Sequence, residues 1–358
     1  MFFVPSLVLL PLAESLGSAV EVCKVVSVIF GGFLFTLLTT ASSVTAIRKL
    51  MASADVAEED AVVEAVSKGK PSNPFSDETF GLCALLSVGF AAVTTVLARI
   101  GSAMTVRNPF QSACLFFTTI TSFLAGFRVQ KKLESSAVHP LIQCTVFTWL
   151  GAKVLSVLTG TSFASILKVY KTGSLTLGTG GAGDLLLFLL GPTVVSFGWQ
   201  MYNRSKLIKE NIMEVGTAVV TSSLGGIFGT ALAVRMLNIM KPSIRLALLS
   251  RNITSPLAIS IASILGADVS YAVTMVVLSG LIGANSGASI LTKFKVNDPI
   301  ARGLSIGAAS HGLGTASFVN EKEAFPFAAV SMALTASMTT VLISIPSIRY
   351  ALIKIALG

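Results

Sequence analysis

The sequence predicts an all-α fold: a polytopic integral membrane protein with roughly nine to eleven membrane-embedded segments. Of its 358 residues, 53% are hydrophobic and only 12% are charged, which is more apolar surface than a soluble domain can bury. The apolar residues form runs of about 20, the length of a bilayer-crossing helix, and they do not alternate as barrel strands do. We therefore expect helices throughout.

The basic residues explain the net charge of +9 without a nucleic-acid partner. They form short clusters between apolar runs, as at residues 48–49, 131–132 and 204–209, where they serve membrane anchoring and topology. The four cysteines stand singly, with no CxxC pair and no nearby histidine cluster. We therefore expect neither a zinc site nor a disulfide framework, and no cofactor. The expected partners are membrane lipid and a small solute.

Composition divides the chain into two membrane modules and a linker. Residues 1–47 are apolar, and their start, FFVPSLVLLPL, has neither a basic n-region nor a small-residue cleavage site, so we expect no cleavable signal. Residues 48–79 are the one clearly soluble stretch, acidic at first and then interrupted by Pro71 and Pro74, which predicts a linker. Residues 80–358 hold the remaining apolar segments and end in a basic amphipathic piece expected at the membrane interface.

Two prolines predict discontinuous helices in the second module. Pro192 lies in the apolar run LLLFLLGPTVVS and Pro256 in SPLAISIAS, and proline interrupts a helix because it lacks a backbone donor. A shift of about 64 positions superposes Pro192 on Pro256, which predicts an internal repeat of residues 185–240 and 250–300. Paired broken segments of this kind indicate the midplane binding site of a secondary transporter.

The segment GTGGAG at residues 178–183 formally spells G-x-G-x-x-G. A dinucleotide site would require a surrounding βαβ unit, but a membrane-length apolar run follows at once. We interpret the segment as a flexible entry to a membrane helix.

A third polar stretch, residues 298–318, combines four glycines with hydroxyl residues and one of the two histidines, His311. Glycines let the backbone unwind, and hydroxyls offer contacts to a small polar solute. His311 titrates near neutral pH, so it is a candidate for proton coupling; the other interpretation is a buried histidine satisfied by a neighbouring carbonyl. Ser310 and His311 point in different directions on a helix, so a hydrolase is not expected.

Broken helices also predict where an anion would bind. Free N–H groups at the start of a half-helix carry partial positive charge, which suits a carboxylate. Thr193, Thr254 and Ser255 flank the two prolines at such positions. Arg251 precedes the second break, where it either complements the charge of an anion or anchors the chain at the interface.

Three blocks resemble the hallmark segments of the LrgB/CidB membrane family: LLGPTVVSFGWQMYNRSKLIKEN, SRNITSPLAISIASILGADVSYAVTMVVLSGLIGA and KVNDPIARGLSIGAASHGLGTASF. The resemblance covers residues 140–345, and the part around SHGLGT is highly specific. FFVPSLVLLPL resembles part of an LrgA/CidA-type module, and the fusion of the two modules is the arrangement of the plastidal glycolate/glycerate translocators.

This resemblance implies a carrier of the plastid (chloroplast) inner envelope that exports glycolate and imports glycerate, with proton coupling, rather than an enzyme. The LrgA-like segment would be a scaffold or a contact in a homo-oligomer. Two alternatives stay open. One is a holin-like, pore-forming membrane regulator, as implied by the bacterial relatives; the other is a cation/proton exchanger, against which the lack of a clear buried Asp pair counts.

Departures from the family pattern affect the site. The second break reads close to PKSVTTPIA in the family and SRNITSPLA here, which keeps its charge and hydroxyl character. GANSGA at residues 283–288 replaces a more apolar family version, so Asn285 and Ser286 are expected to adjust substrate choice. The expected site for a small hydroxycarboxylate contains the residues at and around the breaks: Pro192, Thr193, Ser196, Arg251, Asn252, Thr254, Ser255, Pro256, Asn285, Ser286, Ser310, His311, Gly312, Gly314 and Thr315.

Overall fold

The computed structural model of the protein describes residues 4–13, 16–52, 76–133, 140–176 and 178–358. Within these ranges the chain forms helices and no strand, as the sequence predicts. Most of the predicted linker lies outside the described residues. The helices, in chain order, are α1 (Val4–Val8), α2 (Ala19–Ala52), α3 (Asp77–Arg99), α4 (Met104–Leu133), α5 (Pro140–Thr159), α6 (Phe163–Tyr170), α7 (Ala182–Phe188), α8 (Leu190–Asn203), α9 (Ser205–Glu210), α10 (Ile212–Met236), α11 (Pro242–Leu248), α12 (Ser255–Leu265), α13 (Val269–Lys293), α14 (Pro299–Ser317), α15 (Ala324–Ser344) and α16 (Pro346–Leu357), with a 3-10 turn at Leu10–Leu12.

Seven of the described helices are long and apolar enough to cross a membrane, namely α2, α3, α4, α5, α10, α13 and α15. Their outer faces carry large apolar side chains, such as Leu85 and Val88 of α3 and Val157 of α5, which are 69%, 68% and 72% exposed. Lipid is the solvent that suits such faces. The polytopic membrane fold is therefore confirmed. The number of such helices among the described residues is lower than the nine to eleven membrane-embedded segments expected, and α12 is a shorter apolar helix.

The described residues form two compact units. The first contains α1, α3 to α7 and the start of α8 as far as Pro192, and the second contains α2 and the chain from Thr193 onward. This division differs from the one expected from composition, which grouped α2 with the N-terminal segment. In the structure α2 packs along α10 and α14 and belongs to the second unit.

Asp184 organises the glycine-rich loop of the first unit. Its carboxylate accepts hydrogen bonds from the backbone N–H groups of Thr172 (2.7 Å), Gly173 (3.1 Å) and Gly181 (3.0 Å), and from the Thr172 hydroxyl (3.0 Å). Gly181 lies so close to the backbone of Tyr170 that a Cβ on Gly181 would be 2.4 Å from the Tyr170 carbonyl oxygen. The loop is thus closed by a side chain of the protein itself at the entry to α7.

Two interruptions shape the second unit. Residues 249–254 separate α11 from α12, and α14 is broken at His311, whose φ of 44° and ψ of −142° are not helical. Pro256 lies in the first turn of α12, where its missing N–H has no helical partner to lose. Pro192 lies in the first turn of α8, which Leu189 separates from α7. Each proline therefore begins a helix, and the prediction of discontinuous helices is confirmed.

Candidate functional site

The break between α11 and α12 buries a charged residue. Arg251 is 0% exposed and Asn252 is 1% exposed, and both lie in the non-helical turn before α12. Long charged side chains are almost never fully buried unless they are paired. Complete burial also removes the interpretation of Arg251 as an interface anchor, because an anchor keeps its charged end at the membrane surface.

Within the described residues, the Arg251 guanidinium has hydroxyl partners but no carboxylate partner. Its Nε donates to Thr230 Oγ1 of α10 at 3.0 Å, and its Nη2 donates to Thr36 Oγ1 of α2 at 3.2 Å. Its Nη1 is buried and has no hydrogen-bond partner among the described residues. Two neutral hydroxyls do not neutralise a buried cation, so the structure leaves one positive charge and one donor group uncompensated.

Asn252 connects this break to α14. Its Nδ2 donates to the carbonyl oxygen of Ala308 at 3.4 Å, three residues before the second break. The same amide also lies against Gly226 of α10, where a Cβ would lie 2.7 Å from Nδ2. The Asn252 Oδ1 and the Thr254 Oγ1 are both buried, and neither has a hydrogen-bond partner among the residues that the structure describes.

The second break brings Ser310 and His311 inside the unit. His311 is 4% exposed, and its Nε2 lies 2.7 Å from the carbonyl oxygen of Val276 in α13. A carbonyl can only accept, so Nε2 carries the proton of this contact. Gly280 makes room for the ring, because a Cβ there would lie 2.6 Å from Cε1. The Nε2 contact matches the interpretation of a buried histidine satisfied by a carbonyl.

Ser310 occupies a similar cleft beside Gly283 of α13. A Cβ at Gly283 would lie 1.9 Å from Ser310 Oγ, and one at Gly314 would lie 2.3 Å from Ser310 Cβ. The Ser310 hydroxyl is 0% exposed and its Oγ has no hydrogen-bond partner in the described part of the chain. Buried hydroxyls are normally paired, so this one is a further candidate ligand group.

The structure brings most of the expected residues to these two breaks. Five of them lie at the first break, and another five lie at or just after the second break. Among the latter, the Thr315 hydroxyl donates to Ala328 O at 3.3 Å. The first five are Arg251, Asn252, Thr254, Ser255 and Pro256, and the second five are Ser310, His311, Gly312, Gly314 and Thr315.

The other expected residues are placed differently. Pro192, in the first unit, and Ser196, in the second, are exposed, and the side chain of Thr193 lies outside the described part of the structure. Asn285 is exposed and Ser286 is half-buried. Both donate to their own helix, Asn285 to Leu281 O (3.0 Å) and Ser286 to Ile282 O (2.6 Å).

Sequence reasoning missed four residues that frame the first break: Gly32 and Thr36 on α2, and Gly226 and Thr230 on α10. Each pair is spaced Gly-x-x-x-Thr, which places both members on one face of a helix. Small residues at this spacing allow two membrane helices to approach closely. The spacing is visible in the sequence, but which helix it faces is not.

Comparison with known proteins gives the following similarities. Residues 119–347 match the model of the LrgB-like family. The plastidal glycolate/glycerate translocator 1 of Arabidopsis thaliana is 32% identical over 99% of this chain and 67% of its own length. The holin-like protein CidB of Staphylococcus epidermidis is 26% identical over 61% of this chain and 90% of its own, and that of Staphylococcus aureus is 25% identical over 66% and 95%. None of these names is that of an enzyme. No solved structure matches the chain.

Proposed function

Because the chain belongs to the LrgB-like family, we propose that it is a secondary transporter that exchanges glycolate for glycerate. In this proposal glycolate leaves and glycerate enters across the plastid inner envelope, and His311 couples protons to the exchange. The name of the Arabidopsis thaliana relative supports the two substrates and the plastid as the location. The anion chemistry is supported independently by the side chains of this chain.

The observation that carries the proposal is the fully buried guanidinium of Arg251, which has no carboxylate partner in the part of the chain that the structure describes. Burying an unpaired charge is unfavourable by several kcal/mol, and an arginine fork matches a carboxylate group in shape and charge. A carboxylate at Nη1 would supply the missing charge. One buried cation balances one negative charge, which suits a monocarboxylate.

The start of α12 adds a second source of positive potential. Thr254 precedes the helix, its side chain makes no capping bond, and its buried hydroxyl oxygen has no partner in the described structure. The first N–H groups of a helix have no partner within that helix and carry partial positive charge. A hydroxycarboxylate at this point would meet Arg251, the helix start and hydroxyl groups that suit its own hydroxyl.

Exchange in reconstituted vesicles tests the proposal. Purified protein is placed in vesicles loaded with glycerate, and uptake of labelled glycolate is measured. We expect uptake that depends on internal glycerate. Arg251→Gln should lower it by about a hundredfold, since it removes a buried charge partner of the anion, and Arg251→Lys by about tenfold, since it keeps the charge but loses the fork. Arg235→Gln is the matched control, because Arg235 is exposed near the end of α10.

The holin-like names of the bacterial relatives favour a second candidate, a pore-forming membrane protein. The same vesicles separate the two. A pore would release an unrelated solute such as sucrose and would not require glycerate inside. If glycolate uptake is absent, or does not depend on internal glycerate, the exchange function is refuted.

A further inference from the structure

The helix α2 lies before residue 119, where the match to the family begins, yet it contacts the buried arginine directly. The Thr36 hydroxyl accepts the Nη2 hydrogen bond of Arg251 and donates its own proton to Gly32 O at 3.0 Å. Both roles of this hydroxyl are therefore satisfied, and its direction is set by the helix itself. A hydroxyl held in this way is a rigid acceptor for the guanidinium.

Gly32 provides the space in which the guanidinium lies. A Cβ at Gly32 would be 2.4 Å from both Cζ and Nε of Arg251 and 2.5 Å from Nη2. These distances are far below van der Waals contact, so any side chain at position 32 must displace the charged group. The neighbouring Gly31 is exposed and has no atom near its own Cβ position.

The two helices that hold Arg251 do so with the same spacing. On α2, Gly32 faces the guanidinium and Thr36 accepts from it; on α10, Gly226 faces Asn252 and Thr230 accepts from Arg251 Nε. The guanidinium is thus bonded through Nε and Nη2 to two different helices, and Nη1 has no partner within the described ranges. The orientation of its free donor depends on both helices.

The same stretch of α2 also reaches the second break. Phe33, the residue after Gly32, is fully buried, and its ring lies 3.2 Å from the Cβ position of Gly283. Gly283 is the glycine that also makes room for Ser310. One turn of α2 therefore packs beside both interruptions.

From this geometry we propose that α2 is part of the anion site, with Thr36 and Gly32 acting as positioning residues that direct Arg251 Nη1 toward a carboxylate. The inference rests on the proposed function and adds to it the specific contribution of a helix outside the family match. Without the Thr36 hydroxyl the guanidinium can turn, so its free donor is no longer aimed. The affinity for the anion should then fall, while the turnover of bound anion should change little.

Glycolate exchange kinetics of matched variants test this proposal. Thr36→Val should raise the KM for glycolate by about tenfold, the value of one hydrogen bond to a charged group, with the maximal rate within about twofold. Thr36→Ser keeps the hydroxyl and should restore the KM. Gly32→Ala should raise the KM at least as much, whereas Gly31→Ala should behave as the unmodified protein. Thr39→Val, on the same helix and bonded only to its own backbone in the described structure, is the control for the loss of a hydroxyl.

A second measurement guards against variants that merely fail to fold. Each purified variant is melted in detergent with and without glycolate, and the stabilisation by glycolate is compared. We expect this stabilisation to be reduced for Thr36→Val and Gly32→Ala and retained for Thr36→Ser and Gly31→Ala. If the original protein exchanges glycolate and Thr36→Val has an unchanged KM, the role of α2 is refuted and the proposed function stands. If the original protein shows neither exchange nor stabilisation, the proposed function fails and the role of α2 fails with it.

Discussion

Replacing His311 by glycine or by alanine tests whether α14 is truly broken at this residue. A non-glycine residue with φ of 44° and ψ of −142° occupies a region that glycine adopts freely and other residues adopt at a cost of about 1–3 kcal/mol. Both variants lose the ring and its hydrogen bond to Val276 O, so these losses cancel in the comparison. What remains is the backbone conformation at position 311.

The expected difference in stability between the glycine and alanine variants has the opposite sign to the usual helical preference. In a regular helix alanine is more stable than glycine by about 1 kcal/mol. At position 311 the glycine variant should be more stable than the alanine variant by about 1–3 kcal/mol, because the left-handed φ is unfavourable for alanine and not for glycine. The assay is denaturant unfolding of the purified proteins in detergent, followed by circular dichroism, with the free energies of unfolding compared.

Ala46→Gly is the matched control, because Ala46 is exposed in the regular part of α2. This substitution should destabilise the protein by about 1 kcal/mol. If the alanine variant at position 311 is as stable as the glycine variant, or more stable, then His311 lies in an ordinary helix. The second break, and the site argued from it, would then be refuted.

Two further predictions concern the same break. Gly283→Ala should abolish exchange, because its Cβ would lie 1.9 Å from Ser310 Oγ and displace that side chain. Gly216→Ala is the control and should leave exchange unchanged, since there is open space around its Cβ position. Full activity of Gly283→Ala would remove Ser310 from the site. His311→Gln should abolish the pH dependence of glycolate exchange between about pH 5 and 8 if the imidazole is the proton-linked group, and an unchanged pH profile of the initial rate would assign that role elsewhere.

Hydropathy alone predicts the fold class, because a bilayer requires long apolar helices wherever the chain crosses it. The apolar run at residues 22–47 forms the central part of α2, and the apolar run at residues 215–236 nearly coincides with α10. Proline chemistry also predicts discontinuity. The exact position of the interruption follows less directly, because a proline is tolerated in the first turn of a helix. The interruption therefore precedes Pro256 and does not coincide with it.

The site was predictable only in part, because residue chemistry can be read from a sequence while helix neighbours cannot. Arg251 and His311 are conspicuous in apolar surroundings, and both prove to be buried at breaks. Thr36 gave no such signal, since a threonine in an apolar helix usually bonds its own backbone and faces lipid as readily as protein. Its contact with Arg251 depends on α2 lying against α10, which is a property of tertiary packing.

Under the proposed function, the unpaired charge of Arg251 also gives a reason for exchange in place of net flow. A carrier without substrate has to keep a lone guanidinium in a dry interior, and hydroxyl partners at Thr36 and Thr230 recover only part of the lost hydration. A bound carboxylate neutralises the charge, so the loaded carrier can change its conformation with a smaller electrostatic penalty than the empty one. The return step then needs a second anion. Replacing Arg251 by glutamine would remove this penalty, so any residual transport in that variant should no longer require an anion on the opposite side.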